Sequence, residues 1–236
     1  MWRLLNEENL NQLYFLLIAF ISYKSIFWQL RFFDGLRPYS QLYRRNDRSL
    51  SWPYKSLEMP MKSVRMWTVD IPLFAIISFD FMTGRDGLES VAKYLIGESL
   101  ALFLCLSTKY ISGRPRPHFL SANGIKYDST DNEIFRVSFD KLEKTELVRL
   151  RESTRSLFSG HALLGSYAAV FLMVHFYQFT TKLNIITAIF TMALITCGVW
   201  PGLTQVRSRW HFWSDVIAGW LVGTVSAATS RLLLEV

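Results

Sequence analysis

Charge is scarce in this chain: 19% of its 236 residues are Asp, Glu, Lys or Arg, against about 25% in an ordinary soluble domain. Cysteine is scarcer still, with two in all. Cys105 and Cys197 fall inside apolar runs, at no spacing suited to a metal or a redox pair. They serve as small apolar residues and exclude a zinc-ribbon or dithiol chemistry. Repeats and low-complexity segments are missing, which excludes a solenoid or a linker-rich chain. No N-x-[ST] acceptor occurs, so glycosylation cannot mark a lumenal loop.

Apolar residues take the place of charge. Half of the chain is hydrophobic, 15% is aromatic, and the formal net charge is +7. A helix needs about 20 mostly apolar residues to cross a bilayer. Six runs approach that length: 12–31, 66–83, 89–108, 160–179, 183–203 and 212–234. The second and third are interrupted by Asp70, Asp80, Lys93 and Glu98. Only helices and closed barrels satisfy their backbones in lipid, and these runs are too long and unbroken for barrel strands. The sequence therefore predicts an all-α integral membrane protein with six transmembrane helices. Residues 1–236 form a single membrane-embedded unit with its core at 60–234. The first run carries Lys24 and is followed by no small-residue cleavage site, so it reads as a retained helix, not a signal peptide. Lys24 either snorkels or pairs with Glu98 or Asp70.

Three loops separate these runs on one face of the membrane: 32–65, 109–158 and 204–211. The longest contains KLEKTELVRLREST (141–154), a charged helix that reads as a solvated connector, with a lid over a site as the alternative. Each loop abuts the end of a span, so distant residues can meet at one surface.

The first loop brings Lys109, Arg114 and Arg116, stiffened by Pro115 and Pro117. Fixed cations suit a phosphate, arginine as a planar fork and lysine as a point charge. Anchoring of a helix end explains them equally well. The second gives Ser159-Gly160-His161 at a helix start. Free N–H groups and the positive dipole end favour an anion there, although Ser and Gly also start helices merely as caps. The third gives His211 and Asp215, four apart and on one helix face. Asp215 can hold one imidazole nitrogen and leave the other free to attack. A helix-start histidine beside an acid is the plainer account. Together the loops supply cations, two histidines and an orienting acid. Phosphoryl transfer to a histidine needs that set.

Lys109 to Arg116-Pro117 reads K-x6-R-P. Ser159-Gly160-His161 matches the end of P-S-G-H, and His211 with Asp215 matches the end of S-R-x5-H-x3-D. In these motifs, over roughly residues 30–225, the chain resembles the type 2 phosphatidic acid phosphatase superfamily. GRPRPHF (113–119), SGHALLGSY (159–167) and HFWSDVIAG (211–219) are most similar to its eukaryotic lipid phosphate phosphatases. The resemblance implies six membrane helices and catalysis without metal or other cofactor. It implies His211 as nucleophile through a phosphohistidine, Asp215 as its orienter and His161 as general acid. Lys109, Arg116, Ser159 and Gly160 would hold the phosphate.

Three positions depart from the pattern. Phe158 stands for proline, Thr204 for serine and Gln205 for arginine. Gln205 keeps an amide donor without the charge, which weakens the site; Arg207 is the neighbour whose side chain would replace that charge by swinging in, with Arg209 the other candidate. The implied partners are a lipid phosphate (phosphatidate, lysophosphatidate or a sphingoid phosphate) and the bilayer. No nucleic-acid partner is implied, and homo-oligomer formation is left open. The alternatives are an isoprenoid diphosphate phosphatase, a non-catalytic lipid-phosphate binder, and a transporter or channel with a cationic mouth. The Lys- and Arg-rich loops would place the site in the cytosol by the positive-inside rule. The resemblance implies the reverse: endoplasmic reticulum or plasma membrane, with the catalytic face lumenal or extracellular.

Overall fold

A computed structural model describes residues 7–36, 42–139, 142–177 and 185–233. The predicted run ends at 178–179, 183–184 and 234 lie outside the described residues. So does part of the loop 32–65, and so does the first residue, 141, of the charged segment at 141–154.

Helix α1 (Glu7–Gly35) comes first. A three-residue strand β1 (Leu42–Arg44) follows on the loop side. The second run is one helix in three pieces: α2 (Met61–Arg65), a π-turn (Met66–Asp70) and α3 (Ile71–Thr83). Pro72 explains the break. It has no N–H to give the Thr68 carbonyl one turn back, and the buried Tyr94 hydroxyl donates to that carbonyl instead. The helix stops at Gly84, whose φ of +71° lets its N–H reach back to the last turn.

Helix α4 (Gly87–Ser112) opens on an Asp86 cap and closes on Gly113 at φ +51°. The loop side then carries the short α5 (Phe119–Ala122), strand β2 (Ile134–Arg136) antiparallel to β1, and α6 (Lys144–Ser153). The last three helices are α7 (Gly160–Tyr177), α8 (Ile185–Arg207) and α9 (Trp213–Leu233).

Among the described residues, five helical stretches are long and apolar enough to cross a membrane: Leu10–Gly35, Met61–Thr83, Gly87–Ser112, Gly160–Tyr177 and Ile185–Arg207. Helix α9 falls outside that set, so five of the six expected spans are accounted for on length and apolarity. Their outward faces are bare of protein. Phe74, Phe81 and Ile185 are 73%, 85% and 73% exposed, which is tolerable only against lipid.

Helix α7 lies at the centre and is the most enclosed of the spans. Its glycine contacts show why small residues are needed there. A Cβ on Gly165 would sit 2.6 Å from the Gly198 carbonyl of α8, and one on Gly223 of α9 would sit 2.2 Å from the Leu163 carbonyl. Tyr94, Tyr167 and Phe171 pack edge and face between α4 and α7. Helix α1 is joined to α4 by polar contacts: Ser25 Oγ lies 2.5 Å from Ser99 Oγ, and Gln29 Nε2 donates to the same oxygen at 2.9 Å. Lys24 Nζ lies over the Phe20 ring of its own helix, while Asp70 pairs with Arg65.

Candidate active site

The three loops meet at one end of the bundle. Gly113 turns the chain out of α4, and the next residues are pinned through their backbones. The Arg116 N–H donates to the Ser153 carbonyl, the Ser156 N–H to that of Arg114, and the Trp52 N–H to that of Pro117. The first loop is thereby fixed against the segment that leads into α7.

Arg116 is buried and lies flat on Trp210, its guanidinium 4.5 Å from the ring centre. Nη2 lies 3.4 Å from the Arg155 carbonyl, to which it donates, and 3.5 Å from Glu152 Oε2. Nε and Nη1 are buried without a partner among the described residues. Burial pulls the Arg116 pKa down to about 10, which leaves it charged at neutral pH.

The third loop is built on the end of α8. Arg209 adopts φ +62°, a left-handed turn that reverses the chain. The N–H groups of Trp210 and His211 then donate back to the Gln205 carbonyl at 2.9 and 3.3 Å. This sets His211 beside α9 with its ring buried. Asp215, one turn into α9, is fully enclosed. Its Oδ1 accepts from Arg114 Nη1 at 2.6 Å. Its Oδ2 accepts from Ser156 Oγ at 2.5 Å and from the Phe212 N–H at 3.1 Å. His211 Nδ1 stands 3.7 Å from the same Oδ2, outside hydrogen-bond range. Active-site bonds are often loose before substrate binds. Burial lowers the His211 pKa, with Asp215 opposing, so the imidazole is neutral at pH 7.

His161 sits in the first turn of α7, and its Nε2 lies 3.0 Å from the Met59 carbonyl. A carbonyl only accepts, so Nε2 carries the proton and Nδ1 is the nitrogen left for proton transfer.

Lys109, Arg116, Gly160, His161, Gln205 and His211 line one cavity with an empty volume of about 840 Å³, partly open to solvent. Lys109 Nζ lies over Gly160, where a Cβ would come within 3.6 Å of it. Gln205 is buried and its Nε2 has no hydrogen-bond partner among the described residues. Three of the predicted residues do not line the cavity. Asp215 stands behind His211. Ser159 caps α7, its Oγ accepting from the Ala162 N–H and its own N–H bonding the Asp215 carbonyl. Arg207 is mostly exposed and 3.6 Å from Glu58. It cannot reach in because residues two apart on a helix point in nearly opposite directions; with Gln205 facing the cavity, Arg207 faces out.

Ser156, Glu152 and Arg155 were not predicted as site residues, and Arg114 was read only as a cation suited to phosphate. Arg114 and Ser156 hold Asp215. Glu152 and Arg155 are further walls of the cavity. Arg155 binds the end of α1 through the Phe33 and Leu36 carbonyls and Asp34. The charged segment is thus a wall of the site and a clasp on α1. Arg114 was legible as a cation beside the motif, but its partner was not.

A second cleft, also of about 840 Å³, lies between α1 and the α2–π-turn helix and is mainly apolar, with Ile26, Phe27 and Val64 among its walls. Leu30, Met61, Leu102 and Leu164 border both spaces. The cavity that gathers the charged side chains therefore adjoins a mainly apolar cleft among the membrane helices.

Residues 90–235, more than half of the chain, match the family model of the PAP2 superfamily. The chain is similar to phospholipid phosphatase 2 of Bos taurus, 29% identical over 58% of this chain and 48% of that protein. It is 28% identical to phospholipid phosphatase 1 of Rattus norvegicus over 59% of this chain and 50% of that protein. Lipid phosphate phosphatase 1 of Arabidopsis thaliana is 24% identical over 82% of this chain and 61% of that protein. The chain spans about half the length of these two animal relatives. No solved structure matches it. By its family match, which takes in all three loop motifs, the chain belongs to the PAP2 superfamily.

Proposed function

We propose that the protein is a membrane-embedded lipid phosphate phosphatase that works through a phosphohistidine, with α9 as its sixth span. The substrates are phosphomonoesters such as phosphatidate, lysophosphatidate or a sphingoid phosphate. One observation carries this reading: two histidines and three cations line a single cavity whose wall is shared with an apolar cleft. A lipid can leave its chain among the helices and offer its phosphate sideways.

In the first step Nε2 of His211 attacks phosphorus, Asp215 steadying the ring from the Nδ1 side. The bond from phosphorus to the lipid oxygen breaks, and protonated His161 gives its Nδ1 proton to that oxygen. Lys109, Arg116 and the Gln205 amide hold the phosphoryl oxygens. In the second step a water attacks the phosphohistidine. His161 takes the water's proton, the P–N bond breaks, and phosphate leaves with His211 neutral again. Following the family resemblance, no metal enters either step, and the site faces the lumen or the exterior.

A non-catalytic lipid-phosphate binder is the second reading. The uncharged Gln205 and the 3.7 Å gap between His211 and Asp215 favour it. Phosphate release from a panel of lipid phosphates in chelator, with His211→Ala as blank, separates the two. Release abolished by His211→Ala supports the enzyme. Equal release from both proteins leaves the binder.

A further inference from the structure

His118 lies outside the phosphate cavity, yet it is buried and tied to the nucleophile's loop. Its Nδ1 lies 2.7 Å from the Arg209 carbonyl. A carbonyl only accepts, so Nδ1–H is the donor. Arg209 is the residue that turns left-handed, at φ +62°. For a residue with a Cβ that turn is unfavourable and persists only where its surroundings enforce it. Two residues later comes His211.

The surroundings of His118 leave it little freedom. Tyr54 and Trp210 meet its ring edge-on at 5.3 and 5.0 Å. Trp210 is itself anchored, its Nε1 donating to the Lys55 carbonyl at 2.8 Å. On the other side of the turn the Arg209 guanidinium lies 3.8 Å from the centre of the Trp52 ring, and the Trp52 N–H holds the Pro117 carbonyl. One short stretch, Arg116-Pro117-His118, therefore carries a phosphate-facing cation at one end. At its other end it holds the turn that presents His211.

We propose that His118 is a positioning residue: its bond to the Arg209 carbonyl fixes the left-handed turn and aims the His211 imidazole at the phosphate held by Arg116. The role rests on the phosphatase reading above. His118 does not border the cavity, so it acts through His211 and not on the substrate. Its removal should slow the attack and leave substrate binding largely alone.

Two substitutions separate this role from simple packing. His118→Phe keeps the ring and its aromatic contacts but has no donor. His118→Asn loses the ring but places an amide N–H near the position of Nδ1. Phosphate release from lysophosphatidate in detergent micelles would be measured for both, with thermal unfolding of each and His211→Ala as blank. Misaiming by a fraction of an ångström to an ångström costs up to about a hundredfold. His118→Phe is therefore expected to lower kcat about ten- to hundredfold with KM changed less than about threefold, and His118→Asn to recover kcat to within about fivefold of the parent.

A folded His118→Phe protein with kcat within about twofold of the parent overturns the proposal. So do equal losses in both variants, or a loss carried by KM. If His118→Phe does not fold, His118→Asn decides alone: kcat within about fivefold supports the role and a greater loss ends it. A parent protein no more active than His211→Ala refutes the phosphatase reading itself, and the positioning role falls with it.

Discussion

Replacing Gln205 by arginine is the sharpest perturbation this site offers. Gln205 is buried and lines the cavity, and its buried Nε2 has no hydrogen-bond partner among the described residues. A hydrogen bond from a neutral amide to the charged phosphoryl group contributes about 1.5 kcal/mol, and one whose donor is charged as well about twice that. The exchange is therefore worth about 1–2 kcal/mol in the transition state, or a five- to thirtyfold rise in kcat/KM. The same change has a cost in the empty site. Lys109, Arg116 and Arg155 already border the cavity against Glu152 and Asp34. Another guanidinium would be repelled by its neighbours by up to a few kcal/mol at an effective dielectric of about 20. Gln205→Arg should then lower the melting temperature of the free protein, and orthovanadate should raise it again. Gln205→Met, of similar shape without the amide, should lose up to about tenfold in kcat/KM. The assay is phosphate release from lysophosphatidate in mixed micelles, with kcat and KM resolved and His211→Ala subtracted. A folded Gln205→Arg protein that is no faster, beside a Gln205→Met protein that is no slower, would show that position 205 does not touch the phosphate.

Other residues make narrower predictions. Arg114→Ala removes the cation 2.6 Å from the enclosed Asp215; kcat should fall about tenfold, allowing for the partial exposure of Arg114, and an unchanged kcat would remove Arg114 from the Asp215 scaffold. Glu152→Gln takes away a carboxylate 3.5 Å from Arg116, so orthovanadate should inhibit about threefold more tightly; weaker inhibition would contradict the competition between Glu152 and phosphate for Arg116. Arg207→Ala should leave turnover within about twofold, because Arg207 faces Glu58 outside the cavity; a tenfold loss would mean that it swings in after all. Burial pushes the His118 pKa down to about 4, below the ordinary value of about 6.5. The unfolded chain then binds more protons than the folded one between those values, so stability is intact above about pH 6.5 and falls as pH drops toward 4. Tryptophan-monitored melting should show that decline, and His118→Asn should make it shallower; an equal slope in both proteins would assign the decline to other groups.

The sequence made the loops legible where chemistry restricts the residue types, and failed where a contact depends on how the helices meet. Lys109, Arg116, His161 and His211 were candidates because phosphoryl transfer needs cations and imidazoles, and Gly160 because it starts a helix where an anion can approach the backbone; all five line one cavity. Ser156 gave no such sign. A serine five residues before a histidine becomes a carboxylate donor only because the segment before α7 runs beside the start of α9. The Met59 carbonyl that holds His161 is invisible for a stronger reason, since any residue supplies a carbonyl. Arg207 was the avoidable misplacement: helical geometry alone puts 205 and 207 on different faces. The second span was drawn from 66, but the helix begins at Met61. Hydropathy excluded Lys62 and Arg65, whereas Arg65 reaches across to α1, lies over the Phe27 ring and donates to the Tyr23 hydroxyl. That reach matters for function. Tyr23, Phe27 and Arg65 all border the apolar cleft, so the cations that blurred the span in sequence stand beside the route proposed for the lipid chain.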